Sequence, residues 1–229
     1  MSSGVIIAAA GQGKRMGYGV NKQFILLNQK PILIHTIEKF QNLPWIKEII
    51  IVANKDEVKA IEELVEKHML NVTKVIPGGK ERQDSIEQGL MYINSEWVMV
   101  HDGARPFIDR GKLEELYNIV KIKDAVVLGV PVKDTIKVLD NTGIISYTPD
   151  RKSLWTIQTP QAFRLSILKE AYRNAKEKHF LGTDDSSLVE KIGVKTHLLE
   201  GSYNNIKITT KEDLVFAQMI LDRWSEDND

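Results

Sequence analysis

Small residues and cations follow the first apolar run of the chain. Residues 5–7 (VII) lead directly into AAAGQG at positions 8–13, and Lys14 and Arg15 come next. Glycine and alanine let a backbone approach a ligand closely, so that amide N–H groups can point at phosphate oxygens. Arg15, together with Lys22 seven residues later, can neutralise charge on those phosphates. The pattern predicts a polyphosphate site at the end of the first strand.

Two common phosphate-binding loops do not fit this stretch. A P-loop requires G-x-x-x-x-G-K-[ST], and that string does not occur in the chain. A dinucleotide fingerprint requires G-x-G-x-x-G, but Met16 stands in place of the third glycine. The remaining pattern, AAGxGxRM followed by NKQF, resembles nucleotidyltransferases that activate sugar phosphates. The alternative is a tight strand-to-helix turn with surface cations, and the presence of Arg15 and Lys22 disfavours it.

Two later stretches place polar residues beside small ones. Gly78 and Gly79 precede a helical pattern with Ser85 near its start, which can hold a base or ribose edge. A loop with a good helix cap explains the same residues equally well. Asp102 and Arg105 follow another apolar run, where the carboxylate can face a metal or sugar hydroxyl and the guanidinium a phosphate. A buried Asp–Arg pair that fixes the loop is the alternative there.

Other polar residues have simpler interpretations. His101 lies within an apolar strand pattern and is predicted to be a structural histidine. The TDDS cluster at 183–186 opens a helical pattern, and helix capping accounts for it, so we assign it no metal. Arg151 and Lys207 are single cations in polar stretches, which by pattern alone are usually solvated.

The composition limits the classes of protein to consider. The 229 residues are 42% hydrophobic and 27% charged, with a formal net charge of zero and no cysteine. They suit a single domain over residues 1–229, without disulfides or thiolate catalysis. The balanced charge argues against a nucleic-acid-binding surface. The start, MSSGVIIAAAGQ, has no basic region and too short an apolar run for a signal peptide or membrane span, so we expect a cytoplasmic protein.

Apolar runs and helical patterns alternate along the chain. Continuous apolar strands joined by helices are typical of a parallel sheet covered on both faces. The sequence therefore predicts an α/β fold, a Rossmann-like three-layer sandwich with a mostly parallel sheet. Strands are predicted at 5–10, 48–53, 72–76, 97–101, 125–132 and 195–199, and helices at 31–42, 56–68, 82–93, 109–120, 164–178, 184–192 and 211–224.

The alternation stops after Val132. Residues 135–139 and 143–147 are strand-like and enclose DNTG at 140–143, which predicts a hairpin. An isolated hairpin is marginally stable in water. We therefore predict a projecting β-hairpin arm at about 133–152 that packs on a second subunit. The alternative is a hairpin that folds against its own domain.

A set of motifs that spans almost the whole chain resembles one family, the 2-C-methyl-D-erythritol 4-phosphate cytidylyltransferases of the sugar-phosphate nucleotidyltransferase superfamily. The resemblance implies transfer of CMP from CTP to 2-C-methyl-D-erythritol 4-phosphate, with release of pyrophosphate, in the non-mevalonate isoprenoid pathway. The motifs are AAAGQGKRMG, NKQF, GGKERQDSI, VHDGARPF, PVKDTIK, DRKSLWTIQTPQAF, TDDSSLVE and NIKITTKEDL.

The resemblance also implies roles for individual residues. Arg15 and Lys22 are implied to stabilise the pentacoordinate transition state at the α-phosphate of CTP, and Arg151 and Lys207 to position the acceptor. In this family the arm reaches across a homodimer, so Thr135 and Arg151 are expected to serve the neighbouring site. The implied nucleotide contacts are Ala9, Ala10, Gly11, Gly13, Gly79 and Ser85, and the implied acceptor contacts are Asp102, Arg105 and Thr135.

The implied chemistry fits these residue types. A phosphate monoester is already largely dianionic near neutral pH and needs no general base to attack. Mg²⁺ is expected mainly on the triphosphate oxygens and water, without a dedicated carboxylate cage. Two rival functions remain at this point: a ribitol 5-phosphate cytidylyltransferase, and a non-catalytic module that binds CTP without turning it over.

Overall fold

The computed structural model describes residues 1–11 and 21–226, with the backbone alone at Lys22 and residues 224–226. Strands and helices alternate through most of this range. The strands are β1 (Ser3–Ala9), β2 (Leu26–Leu27), β3 (Lys30–Pro31), β4 (Ile46–Ala53), β5 (Lys74–Pro77), β6 (Trp97–Asp102), β7 (Ala125–Pro131), β8 (Val138–Leu139), β9 (Ile145–Tyr147), β10 (Trp155–Arg164) and β11 (His197–Glu200). The α-helices are α1 (Ile32–Phe40), α2 (Val58–Lys67), α3 (Arg82–Leu90), α4 (Arg110–Lys123), α5 (Leu165–Glu177), α6 (Asp185–Lys191) and α7 (Lys211–Glu226).

Seven strands form the central sheet in the order β11-β7-β10-β6-β1-β4-β5. Neighbouring strands are parallel except at β10, which runs antiparallel to both β6 and β7. The predicted mostly parallel sheet is confirmed. The sequence predicted no strand at β10, because Pro160 and the polar residues around it interrupt the apolar pattern by which the other strands were recognised.

Helices cover both faces of the sheet, which confirms the predicted three layers. One core cluster joins the strands to α1, α2 and α4, and a second joins them to α3, α5 and α6. Along β1, Val5 and Ile7 belong to the first cluster and Ile6 to the second, so both faces of the strand are buried. Asp109 caps α4, since its side chain accepts a hydrogen bond from the Lys112 backbone N–H.

The predicted hairpin is present, with β8 and β9 paired antiparallel. Asp140 Oδ1 accepts hydrogen bonds from the backbone N–H groups of Thr142 and Ile144, and Gly143 supplies the positive φ that completes the turn. Four apolar side chains along the hairpin are more than half exposed: Leu139, Ile144, Ile145 and Tyr147. These exposed side chains fit a projecting arm and do not fit a hairpin folded against its own domain.

The length and apolar character of the helices show whether any of them could cross a membrane. Among the described residues, no helix combines the length and the apolar character that crossing a bilayer requires.

Candidate active site

A cleft of about 320 Å³ lies beyond the carboxyl end of β6. Ligands of open α/β sheets bind at this edge, where strands end and helices begin. Asp102 ends β6, Arg82 begins α3, and Lys207 lies between β11 and α7, so the cleft collects residues from distant parts of the chain. Its lining residues are Arg82, Asp102, Arg105, Ile157, Gln158, Thr159, Gln161, Thr183, Asp184 and Lys207.

Three cations surround the carboxylate of Asp102. Lys207 Nζ lies 2.9 Å from Oδ2, Arg105 Nε lies 3.4 Å from Oδ2, and Arg82 Nε lies 3.6 Å from Oδ1. The Asp102 side chain is only 9% exposed, whereas those of Arg82 and Lys207 are 33% and 37% exposed. Lys207 and Arg82 therefore keep part of their charged side chains at the cleft surface, where they can donate hydrogen bonds to an anionic ligand.

The protonation state of Asp102 follows from these neighbours. Burial alone would raise its pKa, but Lys207, then Arg82 and Arg105, outweigh burial and hold the pKa well below its usual range. Asp102 is therefore ionised near neutral pH and cannot serve as a general acid there. Its carboxylate can accept hydrogen bonds and hold the cations in place.

Arg82 has a second partner that the sequence did not reveal. Its Nη2 lies 2.8 Å from Asp185 Oδ2, and the Tyr172 hydroxyl donates to Asp185 Oδ1 at 2.5 Å. Asp185 is fully buried. Asp184 caps α6 by accepting from the Ser187 backbone N–H, as predicted for the cluster. Because capping explains an acidic pair at a helix start, no local signal marked Asp185 as the partner of an arginine 103 residues away.

His101 and Thr159 support the backbone beneath Asp102. Thr159 Oγ1 accepts a hydrogen bond from the Asp102 backbone N–H at 3.0 Å and lies 3.1 Å from His101 Nδ1. His101 Nε2 lies 3.0 Å from the Arg105 carbonyl oxygen. A neutral His101 with its proton on Nε2 satisfies all three contacts, since Thr159 then donates to Nδ1. The structure agrees with a structural role for this histidine.

We expect His101 to stay neutral in the folded protein down to about pH 5. Burial lowers its pKa to about 4, and the hydrogen bond to Arg105 offsets only part of this. In the unfolded chain the pKa of His101 is near 6.5, so as pH falls below that value the unfolded chain binds the proton before the folded protein does. This lowers the free energy of unfolding by about 3 kcal/mol by pH 4. Histidine NMR titration and unfolding free energies at several pH values measure this. In a His101→Gln variant the free energy of unfolding should depend less steeply on pH. An NMR titration midpoint of His101 near 6.5 in the folded protein would contradict the expectation.

The predicted nucleotide loop and the β5–α3 loop lie against each other. A Cβ added at Gly78 would stand 3.2 Å from the Ala10 Cβ and 2.6 Å from Ser85 Oγ. Ser85 is buried, accepts from the Gly79 backbone N–H and donates to the Glu81 carbonyl oxygen. In this structure its hydroxyl shapes the loop. Ala9, Ala10 and Gly11 end the described part of the first loop, while Gly13 and Arg15 lie outside the described residues, as does the Lys22 side chain.

Two predicted site residues lie on the arm instead of in the cleft. Thr135 is exposed just before β8. Arg151 is exposed in the 3-10 helix Arg151–Ser153, where its Nη1 donates to the Lys133 carbonyl oxygen at 2.9 Å. Neither residue lines the cleft of its own chain. The structure therefore brings together Asp102, Arg105 and Lys207 from the predicted set, and it adds Arg82.

The carboxylates at the cleft are already engaged by protein groups. Asp102 holds three cations, and Asp184 Oδ2 accepts from Gln161 and Ser186. Within residues 1–11 and 21–226, no cluster of three or more His, Asp or Glu side chains could hold a metal ion. This part of the chain contains no preformed carboxylate cage.

The model of one protein family matches residues 4–223, almost the whole chain. The chain belongs to the 2-C-methyl-D-erythritol 4-phosphate cytidylyltransferase family. Two relatives of that name show how complete the match is. The protein of Halalkalibacterium halodurans is 44% identical over 223 residues, covering 96% of this chain and 97% of the relative. The protein of Clostridioides difficile is 46% identical over 226 residues, covering 97% and 95%.

Solved structures of the family share the fold along the same length. The crystal structure of 4-diphosphocytidyl-2C-methyl-D-erythritol synthase from Anaerococcus prevotii is 34% identical, with a TM-score of 0.86 and 96% of each chain covered. The 2-C-methyl-D-erythritol 4-phosphate cytidylyltransferase of Thermus thermophilus is 27% identical, with a TM-score of 0.79. That match covers 96% of this chain and 98% of the other. The match to this family therefore extends over almost the whole chain.

Proposed function

We propose that this protein transfers CMP from CTP to 2-C-methyl-D-erythritol 4-phosphate, forming 4-diphosphocytidyl-2-C-methyl-D-erythritol and pyrophosphate in non-mevalonate isoprenoid biosynthesis. The observation that carries the proposal is the cationic cleft around Asp102, in a chain of this family. Its partly exposed Lys207 and Arg82 suit an acceptor that brings its own phosphate dianion. The family favours this acceptor over ribitol 5-phosphate.

The reaction joins two anions. An oxygen of the acceptor phosphate attacks the α-phosphorus of CTP, the bond from that phosphorus to the bridging α–β oxygen breaks, and pyrophosphate leaves with the bonding electrons. No proton must be removed from the attacking oxygen, so the site needs no general base. The protein must instead orient the two phosphates and offset their repulsion, which fixed cations do.

Residues from several segments of the chain are proposed to divide this task. Lys207 and Arg105 are proposed to bind the acceptor phosphate, and Asp102, which holds both cations in place, is proposed to accept hydrogen bonds from acceptor hydroxyls. Arg15 and Lys22 are proposed for the α-phosphate, where charge grows in the transition state. The loop residues Ala9, Ala10, Gly11, Gly13, Gly79 and Ser85 are proposed to line the nucleotide site.

Magnesium is part of the proposal as a partner of the nucleotide. Since Asp102 and Asp184 are engaged within the protein, the described residues fit an ion carried by the phosphates of CTP and by water. Mg²⁺ bound in this way withdraws charge from the triphosphate oxygens. The protein's own cations hold the acceptor.

A cytoplasmic location also belongs to the proposal, because CTP and phosphorylated polyols are metabolites of that compartment.

The arm supports a proposed homodimer. Its exposed apolar side chains need a partner surface, and Thr135 and Arg151 lie on it away from the cleft of their own chain. We assign both residues to the site of a second subunit. In that arrangement one active site combines Lys207 of one chain with Arg151 of the other.

Mixing two inactive variants tests this arrangement. Arg151→Ala and Lys207→Ala are each expected to be nearly inactive alone. After co-refolding in equal amounts, half of the dimers carry one intact site, so activity should recover to about a quarter of the wild-type value. Refolding each variant alone is the control. No recovery on mixing would place Arg151 in the site of its own chain, and full activity of Arg151→Ala alone would place it outside the mechanism.

Pyrophosphate release tests the function itself. The protein is incubated with CTP and Mg²⁺, with 2-C-methyl-D-erythritol 4-phosphate and ribitol 5-phosphate as separate acceptors. Turnover with the first acceptor alone is expected. Turnover with ribitol 5-phosphate alone would keep the mechanism and change the pathway, and CTP binding without turnover on either acceptor would favour a non-catalytic module.

A further inference from the structure

Ile157 is the only apolar residue among the described residues that line the cleft around Asp102. Its side chain is 38% exposed. The rest of the lining consists of charged residues, amides and threonines. A half-exposed isoleucine in such a cleft offers an apolar contact at a single point.

The backbone holds Ile157 in this position. It pairs in register with Gly129 of β7, and a Cβ added at Gly129 would stand 3.3 Å from Ile157 Cδ1. The isoleucine therefore lies over a position without a side chain. Next along β10 the register shifts between Gln158 and Gln161. Gln158 also lines the cleft but is buried, and its side chain donates to the Ser202 carbonyl oxygen, so Ile157 is the more exposed residue of this pair.

We propose that Ile157 selects the acceptor by contacting its C2 methyl branch, an inference that rests on the proposed function. The acceptor is a polyol phosphate whose phosphate suits the cations and whose hydroxyls suit Asp102. Its methyl group is the one part that none of these polar groups can bind favourably. An unbranched polyol phosphate leaves the Ile157 surface uncovered and gains nothing from it. Ile157 thereby favours the branched acceptor.

The size of the effect follows from the size of the group. Recognition of one extra methyl or methylene in an apolar pocket changes kcat/KM by about 10- to 200-fold, and the partly exposed site places Ile157 at the low end of this range. Ile157→Ala should therefore lower kcat/KM for 2-C-methyl-D-erythritol 4-phosphate by about 10-fold. The loss for D-erythritol 4-phosphate, which lacks the branch, should be about 2-fold or less.

The experiment compares wild type, Ile157→Ala and Ile157→Thr with both acceptors at saturating CTP. Leu198→Ala is the matched control. Leu198 is also half-exposed, and its Cδ1 would lie 2.8 Å from a Cβ added at Gly129, yet it does not line the cleft. It should leave the ratio of the two kcat/KM values unchanged. The KM for CTP in each variant checks that the fold and the nucleotide site are intact.

The change in that ratio decides the inference. A fall of about 10-fold in both Ile157 variants supports methyl recognition. An unchanged ratio would overturn the inference, whether both kcat/KM values fall equally or neither falls. Equal losses are expected if Ile157 packs against the second subunit instead. If D-erythritol 4-phosphate turns over too slowly, its inhibition constant against the branched acceptor replaces kcat/KM. Absence of wild-type turnover with the branched acceptor would instead refute the proposed function.

Discussion

Replacing Lys207 with alanine is expected to lower kcat/KM for the acceptor by about 10³-fold, the upper range for losing a preorganised charge contact. Lys207 Nζ lies 2.9 Å from Asp102 Oδ2 at the surface of the cleft. The variant loses the cation that meets the acceptor phosphate, and Asp102 loses its nearest counter-ion. Steady-state kinetics with each substrate varied in turn should show KM for CTP changed by less than about 3-fold, because Lys207 is not assigned to the nucleotide.

Two comparison variants make the Lys207 result specific. Lys207→Arg keeps the charge but not the shape of the donor, so an intermediate loss is expected. Lys121→Ala removes the same charge from the last turn of α4, just before β7 begins at the opposite edge of the sheet, and should keep full activity. If Lys207→Ala behaves like Lys121→Ala, Lys207 has no part in acceptor binding.

Replacing Arg15 or Lys22 with alanine is expected to lower kcat by about 10²-fold or more. Negative charge grows on the α-phosphate oxygens and on the leaving pyrophosphate as the new bond forms. A fixed cation at that position stabilises the transition state more than the bound substrates, so its loss appears in kcat rather than only in KM. Single-turnover measurements with saturating CTP and acceptor report this step directly.

Lys14 provides the matched control for this pair. It lies beside Arg15 in the sequence and carries the same charge, but it has no proposed role. Lys14→Ala should keep kcat within about 3-fold of wild type, because no interaction formed in the transition state is assigned to it. A near-normal kcat in the Arg15 or Lys22 variant would remove that residue from the mechanism.

The effects of the Lys207, Arg15 and Lys22 variants distinguish the proposed enzyme from the two rival functions. A module that only binds CTP has no acceptor step, so loss of Lys207 would leave its ligand affinity unchanged and there would be no rate to lower. A ribitol 5-phosphate enzyme would show the same losses in all three variants but with the other acceptor. The kinetic pattern and the acceptor comparison therefore answer different questions about the same site.

Local sequence patterns were sufficient for much of this architecture. A parallel strand buried on both faces must be apolar along its length, so strands such as β1 and β6 are recognisable without knowledge of their neighbours. The carboxyl ends of such strands lie on one edge, which is why the sequence predicted Asp102 and Arg105 at the edge where the cleft lies. The hairpin arm was equally local, because its turn is set by Asp140 and Gly143.

The rest of the site was decided only by the tertiary structure. β10 enters the sheet antiparallel between β6 and β7, and its polar residues are buried through contacts that no local pattern records. Arg82 meets Asp185 across 103 residues of sequence, and Lys207 reaches Asp102 from the segment between β11 and α7. Ile157 lines the cleft and lies over Gly129 of the neighbouring strand β7. The sequence determined which residues could do this chemistry, and packing between distant segments decided which of them meet, because burial and charge pairing depend on neighbours in space.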